Sequence, residues 1–536
     1  MTTPYNWNFP YSWPRKPVLA ANCVATTQPL AAQAGLRMML NGGNAVDAIL
    51  ATAITLTLVE PVSNGIGSDL FAILWDGKEL HGINASGRSP AGWTPEYFAK
   101  KYPELKAMPT RGWDTVTAPG AVSAWKMLSE RFGKLPFERL FEPAIHYGRN
   151  GFLVSPTIAR QWALQARELH VQPGYAEAFM PEGKPPAPGQ LFTFPDHAAT
   201  LEKIAATKGE AFYRGEIAEK LAAHADKHGG VMKMADLAAH MADWTPPMEV
   251  GYRGYTIHEL PPNGQGIVAL IALGILEQFD VASLPVDSAD SLHLQIEAVK
   301  LAFADARRYV ADLDWMDIKP EALLDKGYLE ARAKMIDMKK AQDFGHGSPP
   351  KGGTVYLTAA DASGMMVSLI QSNYMGFGSG VVPQGTGVSL QNRGSTFVRT
   401  PGHPNEVAPK KRPYQTIIPG FVTKDGKPIM SFGLMGGTMQ PQGHTQLIVR
   451  IADYNQNPQA ASDGPRFRVV QGMEVNVEGG FSGTVLEDLT RRGHKLSELK
   501  EGYMDFGSAQ LIWRMDSGGG YFAASDPRRD GQAVGF

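Results

Sequence analysis

Residues 339–364 read KKAQDFGHGSPPKGGTVYLTAADASG, and the change of character at Thr354 decides how the chain is read. Up to Gly353 the segment is polar, with two prolines, four glycines and no periodicity, as expected of a linker or exposed loop. From Thr354 to Ala360 it reads as a strand, with Val355 and Leu357 on one face and Tyr356 and Thr358 on the other. A turn at Asp361–Gly364 leads into a second strand, Met365–Gln371. A threonine hydroxyl is a poor nucleophile unless a base stands beside it. Cleavage before Thr354 would place a new α-amine on the same residue, and an α-amine titrates near pH 7.7–8.0 and so accepts the proton at neutral pH. A cleavable loop running into a strand that begins with threonine is the layout this chemistry needs.

Working outward, helices are expected at Ala31–Asn41, Ala45–Val59, Ala121–Phe132, Phe137–Asn150 and Ser291–Ala311. Asp76-Gly77-Lys78 reads as a hairpin turn between Leu70–Trp75 and Glu79–Ala85. Residues 173–194, rich in Pro and Gly, read as a surface loop. A third hairpin joins Thr416–Thr423 to Pro428–Phe432, and a further strand pair flanks Ser517–Gly520. Helices therefore dominate the first two thirds and hairpins the last third. That order predicts an α+β protein with antiparallel sheets.

The chain has 536 residues, 51 basic and 53 acidic side chains, and is 43% apolar. This balance excludes a disordered chain and a coiled coil, and argues against a nucleic-acid partner. Cys23 is the single cysteine, which excludes an internal disulfide and a cysteine-based metal cluster. The first 17 residues hold four prolines and no apolar run, and 45–59 is too short and polar to span a bilayer. A cytoplasmic protein without a membrane partner is the expectation.

Three candidates carry little. His293 and Glu297 sit four apart on a helix and read as a contact on one helix face. Gly264-Gln265-Gly266 reads as a turn, because the glycine spacing of a phosphate loop is missing. Cys23 reads as a small buried side chain. The Gly-x-Ser-x-Gly nucleophile elbow does not occur in the sequence.

Nine motifs in order give the chain a resemblance to the γ-glutamyltransferase family of N-terminal-nucleophile hydrolases. They are Gly42–Ala48 (GGNAVDA), Thr117–Val122 (TAPGAV), Pro261–Gly266 (PPNGQG), Glu297–Asp305 (EAVKLAFAD), Gly353–Gly364, Phe377–Gly380 (FGSG), Arg412-Pro413, Gly436-Gly437 and Asp526–Arg529 (DPRR). The resemblance implies a four-layer αββα sandwich with extra helices. It implies cleavage between Gly353 and Thr354 into a large subunit, 1–353, and a small subunit, 354–536, that stay together as a heterodimer. A higher homo-oligomer is compatible with it. Thr354 would form the acyl-enzyme, with Ser372 orienting its hydroxyl and the backbone N–H groups of Gly436 and Gly437 forming the oxyanion hole. No metal and no organic cofactor is implied.

The glutamyl-binding positions depart from the transpeptidase pattern. Arg88, in Asn84–Ala91 (NASGRSPA), lies two residues nearer the proline than the carboxylate-binding arginine of that pattern. Tyr374 stands where an asparagine is expected, with Asn373 adjacent, and Gln415-Thr416 replace paired serines. In Asn392–Thr396 (NRGST), Thr396 replaces the aspartate that neutralises the glutamyl ammonium, while Arg393 adds positive charge. A buried ammonium without a partner is costly. An acyl group with a carboxylate and no free amine therefore suits Arg88, Arg393, Tyr374, Gln415 and Thr416. The resemblance implies an amide hydrolase or acyltransferase acting on γ-glutamyl-like amides, in glutathione metabolism. Its alternatives are a carboxyacyl-amide hydrolase of oxamate, glutaryl or cephalosporin type, and a silent scaffold that binds a small carboxylate.

Overall fold

The computed structural model describes residues 15–344, 353–499, 505–516 and 519–536. Two seven-stranded sheets lie face to face. The first runs in the order Gln532–Gly535, Cys23–Thr26, Gly353–Ala360, Met366–Tyr374, Asp69–Trp75, Leu80–Ala85, Asp243–Thr245. The second runs Val18–Ala20, Tyr521–Ser525, Ser508–Arg514, Lys427–Met435, Gly420–Lys424, Tyr255–Glu259, Met248–Tyr252. Neighbouring strands pair antiparallel throughout both sheets.

The two faces of the strand after Thr354 show why the layers stack. Val355, Leu357 and Ala359 join one core with helices Pro29–Leu40, Ala45–Val59 and Ala121–Phe132. Tyr356 and Ala360 join a core between the sheets with Phe71, Ile370, Ile417 and Phe421. A third core lies beyond the second sheet, where helices Gly266–Leu276, Ala289–Tyr309 and Met439–Ala452 pack. The result is helix, sheet, sheet, helix, as the resemblance implied. A strand buried on both faces has no solvent side, and each fully buried Val or Leu contributes roughly 1.5–3 kcal/mol.

Helix Ala45–Val59 is buried along its whole length. A capping box fixes its start: Asn44 Oδ1 accepts from the N–H of Val46 and Asp47, and Asp47 Oδ2 accepts from the N–H of Asn44 at 2.9 Å. Its C-cap, Glu60, just before Pro61, accepts from Thr27 at 2.6 Å, Ser63 at 3.0 Å and Arg529 at 3.3 Å. One arginine of the DPRR motif is thus a structural counter-ion. Asp526, from the same motif, pairs with Arg466 at 2.6 Å and with Arg528 at 3.2 Å.

Several expectations are corrected. Residues 173–194 are not all surface loop: Tyr175–Phe179 is a short helix, and Leu191–Phe192 pairs with Phe152–Leu153. Its aromatics are the reason, since Tyr175 and Phe179 are buried against Trp162 and Phe377. The strand expected from Thr416 begins at Gly420, because Thr416 and Ile418 bond to glutamine side chains instead of a neighbouring strand. Phe137–Asn150 opens with a 3-10 turn before the helix Glu142–Asn150. Most of the expected linker, residues 345–352, lies outside the described residues, as do residues 517–518 of the last turn.

Candidate active site

Gly353 pairs with Tyr374 and Val355 with Gln371, so the ladder bulges at Thr354 by one extra residue on the opposite strand. Bulges re-aim side chains. Here Thr354 Oγ1 lies 3.0 Å from Ser372 Oγ, and both side chains are fully buried. Ser372 Oγ also accepts the N–H of Tyr374 at 2.8 Å. Tyr374 has φ of +75°, a left-handed conformation rare for a bulky residue.

A guanidinium completes this cluster. Arg393 Nη2 donates to Ser372 Oγ at 3.3 Å, and Nη1 donates to Thr416 Oγ1 at 2.6 Å. Its plane lies over the Tyr374 ring, 4.5 Å from the centroid. Arg393 is fully buried, yet these direct side-chain partners are all neutral. Its Nε has no hydrogen-bond partner among the described residues. Burial lowers its pKa to about 10, with Asp69 and Tyr374 opposing that shift.

Gln415 and Gln265 tie the cluster together. Gln415 Nε2 donates to Asp69 Oδ2 at 2.8 Å, and its Oε1 accepts the N–H of Thr416. Gln265 Nε2 bridges the carbonyls of Thr416 at 2.6 Å and Gly437 at 2.8 Å. Gln265 is the N-cap of helix Gly266–Leu276, so the stretch expected to be a plain turn is a helix start that connects Thr416 to the glycine pair. The signal in the sequence was the PPNGQG motif that contains Gln265, to which no role was assigned.

Gly436 and Gly437 end the strand Lys427–Met435 and lead into helix Met439–Ala452. Their φ values are +127° and +61°. A Cβ on Gly436 would meet the Gly507 backbone at 3.1 Å. Glycine is thus required by conformation and by space. The hydrogen-bonded chain from Thr354 through Ser372, Arg393, Thr416 and Gln265 ends at Gly437.

Arg88 is not brought to this cluster. Its guanidinium pairs with Asp312 at 2.9 Å, donates to the Lys410 carbonyl, and lines a separate cavity of about 360 Å³ with His240 and Arg412. Thr396 Oγ1 donates to the carbonyls of Arg393 and Tyr414, so the position offers no anion to an ammonium.

The residues set aside behave differently. Cys23 is buried between the sheets, which pushes its thiol up to about 12. His293 and Glu297 are joined by His494, and Lys300 Nζ sits 2.8 Å from Glu297 Oε1. A lysine ammonium thus holds the carboxylate that a cation would need.

With this geometry in view, the comparisons are specific. The γ-glutamyltranspeptidase family model matches residues 31–536, and the chain belongs to that family. The chain is 35% identical over 523 residues to the glutathione hydrolase-like YwrD proenzyme of Bacillus subtilis, covering 96% of this chain and 98% of that one. It is 33% identical over 520 residues to the oxamate amidohydrolase proenzyme of Klebsiella pneumoniae, covering 95% and 97%. The crystal structure of the cephalosporin acylase from Bacillus halodurans superposes with a TM-score of 0.93 at 45% identity, covering 99% of each chain. The chain is therefore an enzyme of this family, an N-terminal-nucleophile amide hydrolase.

Proposed function

We propose that the chain cuts itself between Gly353 and Thr354 and then hydrolyses amides whose acyl group carries a carboxylate. Thr354 Oγ1 attacks the amide carbonyl carbon. The hydroxyl proton passes to the Thr354 α-amine and then to the departing amine. The ester so formed is hydrolysed by water, which releases the acid and restores the hydroxyl. Ser372 orients Thr354. The N–H groups of Gly436 and Gly437 receive the developing oxyanion, where one donor is typically worth roughly 3–4 kcal/mol. Residues 1–353 and 354–536 remain one unit, because Thr354 begins a central strand of the first sheet.

The observation that carries this reading is the 3.0 Å approach of Thr354 Oγ1 to Ser372 Oγ with the Arg393 guanidinium on the same serine. Arg393 and the Thr416 hydroxyl form the seat for the acyl carboxylate, held by Gln415 and floored by Tyr374. The relative named oxamate amidohydrolase supports such an acyl group, since oxamate carries a carboxylate. The relative named glutathione hydrolase-like favours a γ-glutamyl donor. Thr396, without a carboxylate for the glutamyl ammonium, speaks against that donor. Comparing oxamate and glutaryl amides with γ-glutamyl amides on the processed enzyme tests the point. Preference for the amine-free acyl groups supports the reading, and preference for γ-glutamyl amides overturns it.

A further inference from the structure

Asp69 is the cross-strand partner of Ser372, in the strand next to the one that ends at the cluster. Directly opposed residues have Cβ atoms about 4.5–5.5 Å apart. Asp69 is fully buried. One carboxylate oxygen accepts the N–H of Gly87 at 3.2 Å, and the other accepts Gln415 Nε2 at 2.8 Å. No salt bridge joins it to an arginine among the described residues. A buried anion and a buried cation, Arg393, therefore stand in one site, each bonded to neutral groups.

We infer that Asp69 is a specificity-determining positioning residue: through Gln415 and Thr416 it sets Arg393, and its negative charge competes with the acyl carboxylate for that guanidinium. The inference rests on the reading of Arg393 as the carboxylate seat. The relay is continuous. Asp69 fixes the Gln415 amide, Gln415 Oε1 holds the N–H of Thr416, and the Thr416 hydroxyl takes Arg393 Nη1. With Asp69 ionised, Arg393 is already partly neutralised and an anionic acyl group gains less by binding. With Asp69 neutral, the full charge of Arg393 is available.

The surroundings make Asp69 the group that changes. Burial raises its pKa to about 6, with Arg393, the Gly87 N–H, Gln415 and Arg412 opposing. Tyr213, whose hydroxyl bonds the Ser123 N–H and the Pro119 carbonyl, faces it from the next layer, and burial raises its pKa. Tyr374 is raised by burial too, so both phenols stay neutral. His240 is pushed down to about 3 by burial and Arg412, and stays neutral. Arg393 stays charged. Between pH 5 and 8, Asp69 alone of these groups changes charge.

The test uses the processed enzyme and two amides with one leaving amine. One carries an oxalyl-type acyl group, ionised at every pH used, and the other its carboxamide isostere. The ratio of their kcat/KM values cancels titration of the Thr354 amine. The expected ratio rises about tenfold, mainly through KM, as pH falls from 7.5 to 5, with a midpoint near 6. In Asp69→Asn the ratio is expected to be high and independent of pH. A preference for the anion that stays flat with pH in the unaltered enzyme overturns the role of Asp69 while leaving the carboxylate seat intact. Loss of any preference at every pH overturns the seat itself. If Asp69→Asn does not mature, the profile of the unaltered enzyme decides alone.

Discussion

The Oγ atoms of Thr354 and Ser372 lie 3.0 Å apart at a bulge in the central ladder of the first sheet. The bulge matters because a regular antiparallel ladder would place a single residue opposite Thr354. The extra residue instead brings a hydroxyl, an adjacent guanidinium and the first residue of a strand together in a buried site.

Ser372→Ala should leave the fold intact and slow both self-cleavage and amide turnover, by about 10²-fold in kcat. Time courses of fragment formation and steady-state kinetics check this. A variant that matures and turns over at the normal rate would remove Ser372 from the reaction.

Arg393→Met should raise KM for a carboxylate-bearing amide by about tenfold to a hundredfold, the range for losing hydrogen bonds to a charged group. The carboxamide isostere should be nearly unaffected. Arg88→Ala should change the same KM far less, since Arg88 is engaged by Asp312 outside the cluster. Paired kinetics of the two variants separate the roles.

Gln265→Leu should lower kcat by about tenfold or more with little change in KM, because the bridge from Thr416 to Gly437 is lost and the glycine turn is freed. Kinetics on the processed form check the split. A rise in KM alone would mean that Gln265 serves the acyl seat and not the glycine pair.

Asp526 sets an acid limit on stability. Burial raises its pKa, but Arg466, Arg528 and backbone N–H donors outweigh that and lower it to about 2 from 3.8. A lowered carboxyl stabilises the fold above its unfolded pKa and ceases to do so as pH falls through the folded value. Its contribution, about 2 kcal/mol, should therefore be present above pH 4 and lost between pH 4 and 2. Asp526→Asn, which leaves Arg466 buried without its anion while Arg528 keeps Glu478, should cost about 3–5 kcal/mol at pH 7. Urea unfolding of both proteins across this range checks the claim.

Local pattern made much of the fold legible. Alternation at Val355–Thr358 foretold the two faces of the central strand, and the apolar run at Ala45–Val59 foretold a helix that the structure buries along its whole length. Ser372 was legible because it closes the same hairpin as Thr354. Arg393, Tyr374, Gln415, Thr416 and the glycine pair were legible only through the family resemblance, and the parts played by Asp69 and Gln265 were not, because the geometry is assembled across long separations. Asp69 and Gln415 lie 346 residues apart, and Gln265 meets Thr416 across 151. Nothing near Asp69 in sequence distinguishes a buried partner of Gln415 from a strand-start aspartate. Arg88 was put forward as the one arginine of its stretch, two residues off the expected position, and its side chain turns to Asp312. Tyr175 and Phe179 were read as loop because Pro and Gly dominate around them, while aromatic packing decides their burial.

The most direct test of the account is the intact mass and N-terminal sequence of the purified protein beside Thr354→Ala. Two fragments are expected in the unaltered protein, the smaller beginning at Thr354, and one uncut, inactive chain in the variant. A single uncut chain that hydrolyses amides, or a Thr354→Ala protein that still turns over substrate, would contradict it.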